Sequence, residues 1–302
     1  MFSYTILLNL LTLAFSCVGL LSSMTFIFIV ISSHRFRRNL SLILAMNLSI
    51  GGLITCSAML NQTIYMLLNT PEDYLCPYRS YFMTVGGLYI FQTTLLQSFH
   101  RLRVTVFVHD RRLRYQSRQL FSVLSLISFS ICLIGLLPLL ITKRFSYYPD
   151  AHACYIAFND TVGVLYPSIC FYFTPLILQI IISFWILSHI SHRTLVGQPF
   201  YKTKRRILKE RRVLFRLFIP VLLLMSVGVI YFVFFFRTII SDQQWQTPAY
   251  ALHLSFSGTS LATALSMLAN LLFYHQVSNV VRNLFRCCIQ NKSKHRRTII
   301  VI

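Results

Sequence analysis

Long apolar runs alternate with short polar segments, most of them basic, along the whole chain. The runs cover about residues 4–32, 39–68, 76–102, 120–141, 164–190, 217–236 and 248–274. As helices rising 1.5 Å per residue, runs of this length cross roughly 30 Å of hydrocarbon. The pattern predicts an all-α membrane protein: one domain over 1–302, built as a seven-transmembrane-helix bundle. A short amphipathic eighth helix and a basic tail are expected over about 276–302. The first run is too long for a signal-peptide core, and no small-residue cleavage site follows it, so it reads as a span with almost no ectodomain. Between the fourth and fifth runs lies a longer polar loop with Lys143, Arg144, Asp150, Cys154 and Asp160.

The third run organises the rest. It opens at Cys76, beside Pro71, Glu72 and Asp73, and ends at His100-Arg101-Leu102-Arg103. Ser80, Gly87, Thr94 and Arg101 recur every seven residues along it, one seam of a helix. Small residues on such a seam let neighbouring helices approach closely in lipid. The run reads as a central helix packed on several sides, with a basic end. The plainer reading is a lipid-facing span whose small residues carry no weight.

Composition agrees with the pattern. The 302 residues are 56% hydrophobic and only 12% charged, against about 25% charged in soluble domains. The net charge of +21 sits in short segments between apolar runs. That placement suits a membrane face with anionic lipid, not nucleic acid. Of 28 Lys and Arg, only Arg79, Lys143, Arg144 and Arg237 fall on the other side. This asymmetry predicts an extracellular N-terminus and a cytoplasmic C-terminus.

Enzyme chemistry finds no support: there is no His-Glu-x-x-His and no pair of intramembrane aspartates. No metal or cofactor set is evident. A transporter or channel would carry buried ionisable residues or paired broken helices, and neither shows. Cys17, Cys56, Cys132 and Cys170 lie in spans and read as small apolar filler. Cys287 and Cys288 follow the amphipathic segment 277–285 and are palmitoylation candidates or plain thiols. Sequons place candidate glycans on Asn61 and Asn159, the second being in a loop. Thr259, Thr263, Ser266, Asn270 and Tyr274 form a helical stripe, either a polar relay or packing glue.

Seven runs, a cysteine opening the third and another in the second outer loop resemble the rhodopsin-like (class A) G-protein-coupled receptor family, over nearly the whole chain. Cys76 and Cys154 match the family's disulfide pair, and both fall on the side where disulfides persist. His100-Arg101-Leu102 stands where the family has Asp-Arg-Tyr. Pro175 matches the fifth-span proline, and Asn270-Leu271-Leu272-Phe273-Tyr274 resembles Asn-Pro-x-x-Tyr without its proline. In Asn47-Leu48-Ser49-Ile50-Gly51-Gly52-Leu53, Gly52 replaces the family's aspartate. The sixth-span Cys-Trp-x-Pro aligns with Val227-Gly228-Val229-Ile230. Met83 stands at the amine receptors' aspartate and Ala264 at the opsins' lysine, which argues against both subgroups.

The resemblance implies a plasma-membrane receptor with an extracellular ligand and a heterotrimeric G protein as partners. Matching implies a ligand pocket of Arg79, Met83, Thr84, Gly87, Tyr231 and Ser260. With no acid inside a span, the ligand is a peptide or small molecule, not an amine; Arg79 and Arg237 would suit an acidic group. Arg101 needs an acceptor if it faces the bundle, and Glu210 stands where the family often places one. Arg101 and Arg103 could instead both be plain inner-face charges. Asn270, Tyr274 and Pro175 would belong to the activation relay. The family's sodium site would lack its aspartate at Gly52 and its serine at Ile90, leaving Asn270 nearly alone. Loss of the family's aspartate, tryptophan and proline leaves a second expectation, a receptor-shaped scaffold that does not couple.

Overall fold

The structure is a computed structural model that describes residues 2–71, 73–107, 117–194, 218–219, 221–223, 225–226, 228–240, 249–274, 277 and 280. Its elements are α1 (Phe2–Ser32), α2 (Leu40–Leu67), α3 (Cys76–Thr105), α4 (Ser117–Ile141), β1 (Phe145–Tyr148) and β2 (Ala153–Ile156). Three consecutive pieces, Thr161–Pro167, Ser168–Phe173 and Thr174–Thr194, are taken together as α5. Then come α6 (Val221–Ile240) and α7 (Ala249–Phe273). Asn39 caps α2, its side chain accepting from the Ser41 N–H at 3.1 Å.

All of these helices except α3 are long and apolar enough to cross a membrane, six in total. Their outward faces are apolar. On α4, Val123, Leu126, Ile127, Ile134 and Ile141 are exposed, and on α1 so are Leu7, Leu21, Met24, Phe28 and Ile31. Apolar stripes of this extent suit lipid and would be a liability in water. The chain is a multi-pass helical membrane protein.

α3 falls short in apolarity for a physical reason. At 30 residues it is roughly 45 Å long, but its neighbours α2, α4, α5 and the two strands surround it. Its polar groups find partners inside. Tyr81 donates to the Leu133 carbonyl of α4 at 2.6 Å, and the Tyr89 and Ser125 hydroxyls meet at 2.9 Å. Gln97 Nε2 donates to the Leu44 carbonyl of α2 at 3.1 Å, and Thr94 Oγ1 to Gln179 Oε1 of α5 at 3.3 Å. A helix screened from lipid need not be apolar, provided its polar groups are satisfied.

The expected seam is corrected at one position. The tight approach of α2 to α3 is made by Gly86, where an added methyl would lie 2.5 Å from Thr55 Oγ1 and 2.8 Å from Thr55 N. Its neighbour Gly87 faces open space, with nothing within 4 Å of such a methyl. Gly87 makes room for a cavity, not for a helix.

Pro175 shapes α5. Proline has no N–H to give the carbonyl four residues back, and its ring pushes that carbonyl aside. The turn before it, Ser168–Phe173, is wound as a π-helix, and the Thr174 N–H reaches back to the Ile169 carbonyl. The widened turn carries Phe171 onto Gly135 of α4, where any side chain would collide with the ring.

The loop after α4, expected to be plainly polar, is a β-hairpin. Phe145 pairs with Ile156 and Tyr148 with Ala153, antiparallel. His152 takes the left-handed conformation at the turn, φ 49°. Arg144 and Asp160 close the hairpin's base with an ion pair at 2.6 Å. A disulfide joins Cys154 of β2 to Cys76, the first residue of α3, with Cα atoms 5.5 Å apart.

Candidate functional site

α3, α5, α6 and α7 stand around a cavity of about 1050 Å3 that opens to solvent. α3 supplies Met83, Thr84, Gly87, Leu88 and Phe91. α5 contributes Val164, Pro167, Ser168 and Tyr172, and α6 Gly228, Tyr231 and Phe232. On α7 the lining residues Leu252, Ser255, Phe256, Thr259 and Thr263 follow one helical face. Thr55 reaches it from α2, and Tyr155 and Ile156 from β2.

The disulfide sets how β2 meets the cavity. Successive strand residues point to opposite faces. With Cys154 bonded to α3 and the Ser80 hydroxyl donating to its carbonyl, Tyr155 turns to the other side. There its ring meets Tyr231 edge-on at 5.5 Å and Phe256 at 5.4 Å. The Tyr231 hydroxyl donates back to the Ile156 carbonyl at 3.3 Å, tying α6 to the hairpin. Burial, with the neighbouring Tyr148 adding to it, pushes the Tyr155 phenol up to about 12. The ring is therefore neutral at physiological pH. Phe91 and Tyr172 pack edge-on at 4.7 Å across the α3–α5 side.

Four of the six residues expected to form a pocket, Met83, Thr84, Gly87 and Tyr231, line this cavity. Two do not, and each has a physical reason. The Arg79 guanidinium faces the C-terminal end of α2: it lies 3.3 Å from Asp73 Oδ2, 3.3 Å from Gln62 Oε1 and 3.8 Å from the centre of the Tyr65 ring. Ser260 is one residue past Thr259, a rotation of about 100° on a helix. It is fully buried away from the cavity and donates to the Ser257 carbonyl at 2.9 Å. Arg237 does not line the cavity either. Sequence reasoning missed Tyr155, Tyr172, Phe232 and Phe256, because nothing in a lone aromatic residue says which way it points. The hairpin did leave a trace: two four-residue stretches rich in tyrosine, phenylalanine and isoleucine flank Pro149-Asp150.

The polar stripe of α7 divides along its length. Thr259 and Thr263 face the cavity. Asn270 Nδ2 instead donates to α2, to the Ala45 carbonyl at 3.1 Å and the Ser49 hydroxyl at 2.9 Å. The Tyr274 hydroxyl donates to the Ser41 carbonyl at 3.4 Å. Ala264, at the opsins' lysine position, packs toward Gly19 of α1, away from the cavity. Met267 fills the space beside Gly52.

Arg101 is half-buried at the far end of α3, and among the described residues it forms no ion pair. Nearby, the Arg103 guanidinium lies 5.7 Å from the Phe121 ring, and His100 packs edge-on to the same ring at 5.1 Å. Glu210, Cys287 and Cys288 lie outside the described residues, as does most of the amphipathic segment 277–285. Asn159 is exposed in the loop after β2. Asn61 is exposed too, but it sits inside α2 with Thr63 of its sequon buried and bonded to the Met59 carbonyl at 2.7 Å. A sequon locked in a helix does not suit a glycan, so Asn61 is set aside. Among the described residues no group of histidine, cysteine, aspartate and glutamate is placed to hold a metal ion. Compared with known proteins, the chain matches no family model and no curated sequence.

Proposed function

We propose that the chain is a rhodopsin-like G-protein-coupled receptor. In this reading α3 is the seventh span, hidden from lipid by its neighbours. The N-terminus and the hairpin are extracellular, the basic segments and C-terminus cytoplasmic, and the membrane is the plasma membrane. A ligand enters the cavity between α3, α5, α6 and α7. A heterotrimeric G protein engages the opposite end of the bundle, around Arg101, with anionic lipid against the basic segments.

One observation carries the reading. A hairpin disulfide-bonded to the first residue of α3 contributes Tyr155 and Ile156 to a cavity whose other walls are α3, α5, α6 and α7. The same α3 ends in Arg101, so one rigid helix touches the ligand end and the coupling end. The reading is tested by a G-protein dissociation panel in cells, one Gα family at a time, at matched surface expression. The receptor is expected to raise basal dissociation with at least one Gα, and Arg101→Ala to remove that signal.

The non-coupling scaffold draws on a separate observation. Gly228, in the family's sixth-span Trp-Pro segment, packs against the Tyr172 hydroxyl. A panel silent for every Gα, with the protein folded at the surface, would favour the scaffold.

A further inference from the structure

The cavity's lining has a pronounced chemical bias. Among the described residues no charged side chain contributes to it. Six of its hydroxyls already donate their proton to a carbonyl of their own helix: Thr55 to Gly51 at 2.9 Å, Thr84 to Ser80 at 2.8 Å, Ser168 to Val164 at 2.6 Å, Ser255 to Ala251 at 2.8 Å, Thr259 to Ser255 at 2.7 Å and Thr263 to Thr259 at 2.8 Å. Tyr231 donates to Ile156. Each of these oxygens retains lone pairs and has no proton left to offer. Among the described residues the Tyr155 and Tyr172 hydroxyls alone in this lining have no hydrogen-bond partner. The remaining wall is ring faces and aliphatic carbon, with Phe91, Phe232 and Phe256 foremost.

Two arginines beyond the lining are already engaged. Arg79 is held by Asp73 and Gln62, and Arg144 by Asp160. An anion or cation in the cavity would lose its water and gain no counter-ion, which disfavours the charged form strongly.

Building on the receptor reading, we infer that the cavity takes an uncharged, largely apolar, ring-bearing small molecule whose polarity is confined to hydroxyl-type groups. Such a group donates to the threonine and serine oxygens and accepts from Tyr155 or Tyr172. The ring system lies against the aromatic wall. This excludes the acidic group that Arg79 and Arg237 first suggested.

The test uses the full chain in lipid nanodiscs and one ring system in three charge states: 1-pyrenemethanol, 1-pyrenecarboxylate and 1-pyrenemethylammonium. Binding is counted as the saturable difference between wild type and Gly87→Leu. A side chain at Gly87 starts into empty space, its first carbon meeting nothing within 4 Å, so this variant puts its bulk into the cavity. Thr259→Leu serves as a second filler, because the Thr259 hydroxyl bonds only within its own helix. Pyrenemethanol is expected to bind at least about tenfold more tightly than either charged probe, and both fillers are expected to abolish the difference. If the carboxylate or the ammonium binds as tightly with the same Gly87 dependence, the ligand class is wrong while the cavity stands as a binding site. If none of the three shows Gly87-dependent saturation, the inference fails and the cavity loses its role in the receptor reading. Binding without coupling in the G-protein panel would overturn the receptor reading alone.

Discussion

Two adjacent glycines of α3 do opposite things. A methyl on Gly86 meets the backbone nitrogen and hydroxyl of Thr55 on α2, neither of which yields without moving a helix. A methyl on Gly87 meets nothing. Gly86→Ala is therefore expected to destabilise the protein by about 1–3 kcal/mol through overpacking, while Gly87→Ala leaves stability unchanged or slightly raised, since alanine favours helix. Thermal unfolding of the two variants in the same micelle checks this. Equal effects would show that the α2–α3 approach is not where it is described. A second prediction belongs to Gly52 and Met267. The space where the family's aspartate would project is filled by a thioether, a poor ligand for a hard cation. Exchanging sodium for potassium is expected to leave the unfolding temperature unchanged. A sodium-specific shift that Asn270→Ala removes would contradict it.

At the scale of elements, the hairpin depends on its covalent tie to α3. The disulfide closes a separation of 78 residues, a constraint worth about 4 kcal/mol by loop-closure entropy. Cys76→Ala and Cys154→Ala are each expected to lower surface expression, and the double variant to add little, because either change alone removes the whole tie. A double variant twice as severe as the singles would mean that the cysteines act separately. Six of the seven expected spans were legible in the sequence because length and apolarity leave few alternatives, and the cysteine pair because it matches the pair of the family the chain resembles. α4 was expected at 120–141 and begins at Ser117. The direction of a side chain was far less legible. Arg79 has three partners within reach at the C-terminal end of α2 and the loop after it, and Ser260 is one residue off the cavity face. Neither fact has a counterpart in spacing or composition. The small-residue seam failed at Gly87 for the same reason: a glycine makes room, but the sequence does not say for what.

The whole molecule shows a division that composition alone obscures. Among the described residues six helices turn apolar faces outward, and one helix, more polar than the rest, is wrapped by α2, α4, α5 and the hairpin. That central helix ties the hairpin and cavity at Cys76, Met83 and Gly87 to Arg101 at its far end. If the receptor reading holds, Arg101 is the coupling residue, and Glu210 is the acid expected to restrain it from the base of the sixth span. Lys209, Arg211 and Arg212 flank Glu210 in the sequence and on this reading would compete for its carboxylate. A partly shielded pair of this kind contributes about 1 kcal/mol, so its loss would raise the active fraction several-fold, approaching tenfold at about 1.4 kcal/mol. The most direct measurement is ligand-free nucleotide exchange on a purified G protein of the family picked out by the cell panel. It compares vesicles holding wild type, Glu210→Gln or Arg101→Ala at equal receptor density with empty vesicles. The account predicts Glu210→Gln fastest, wild type next, and Arg101→Ala no faster than empty vesicles. Equal rates in all four samples would contradict it.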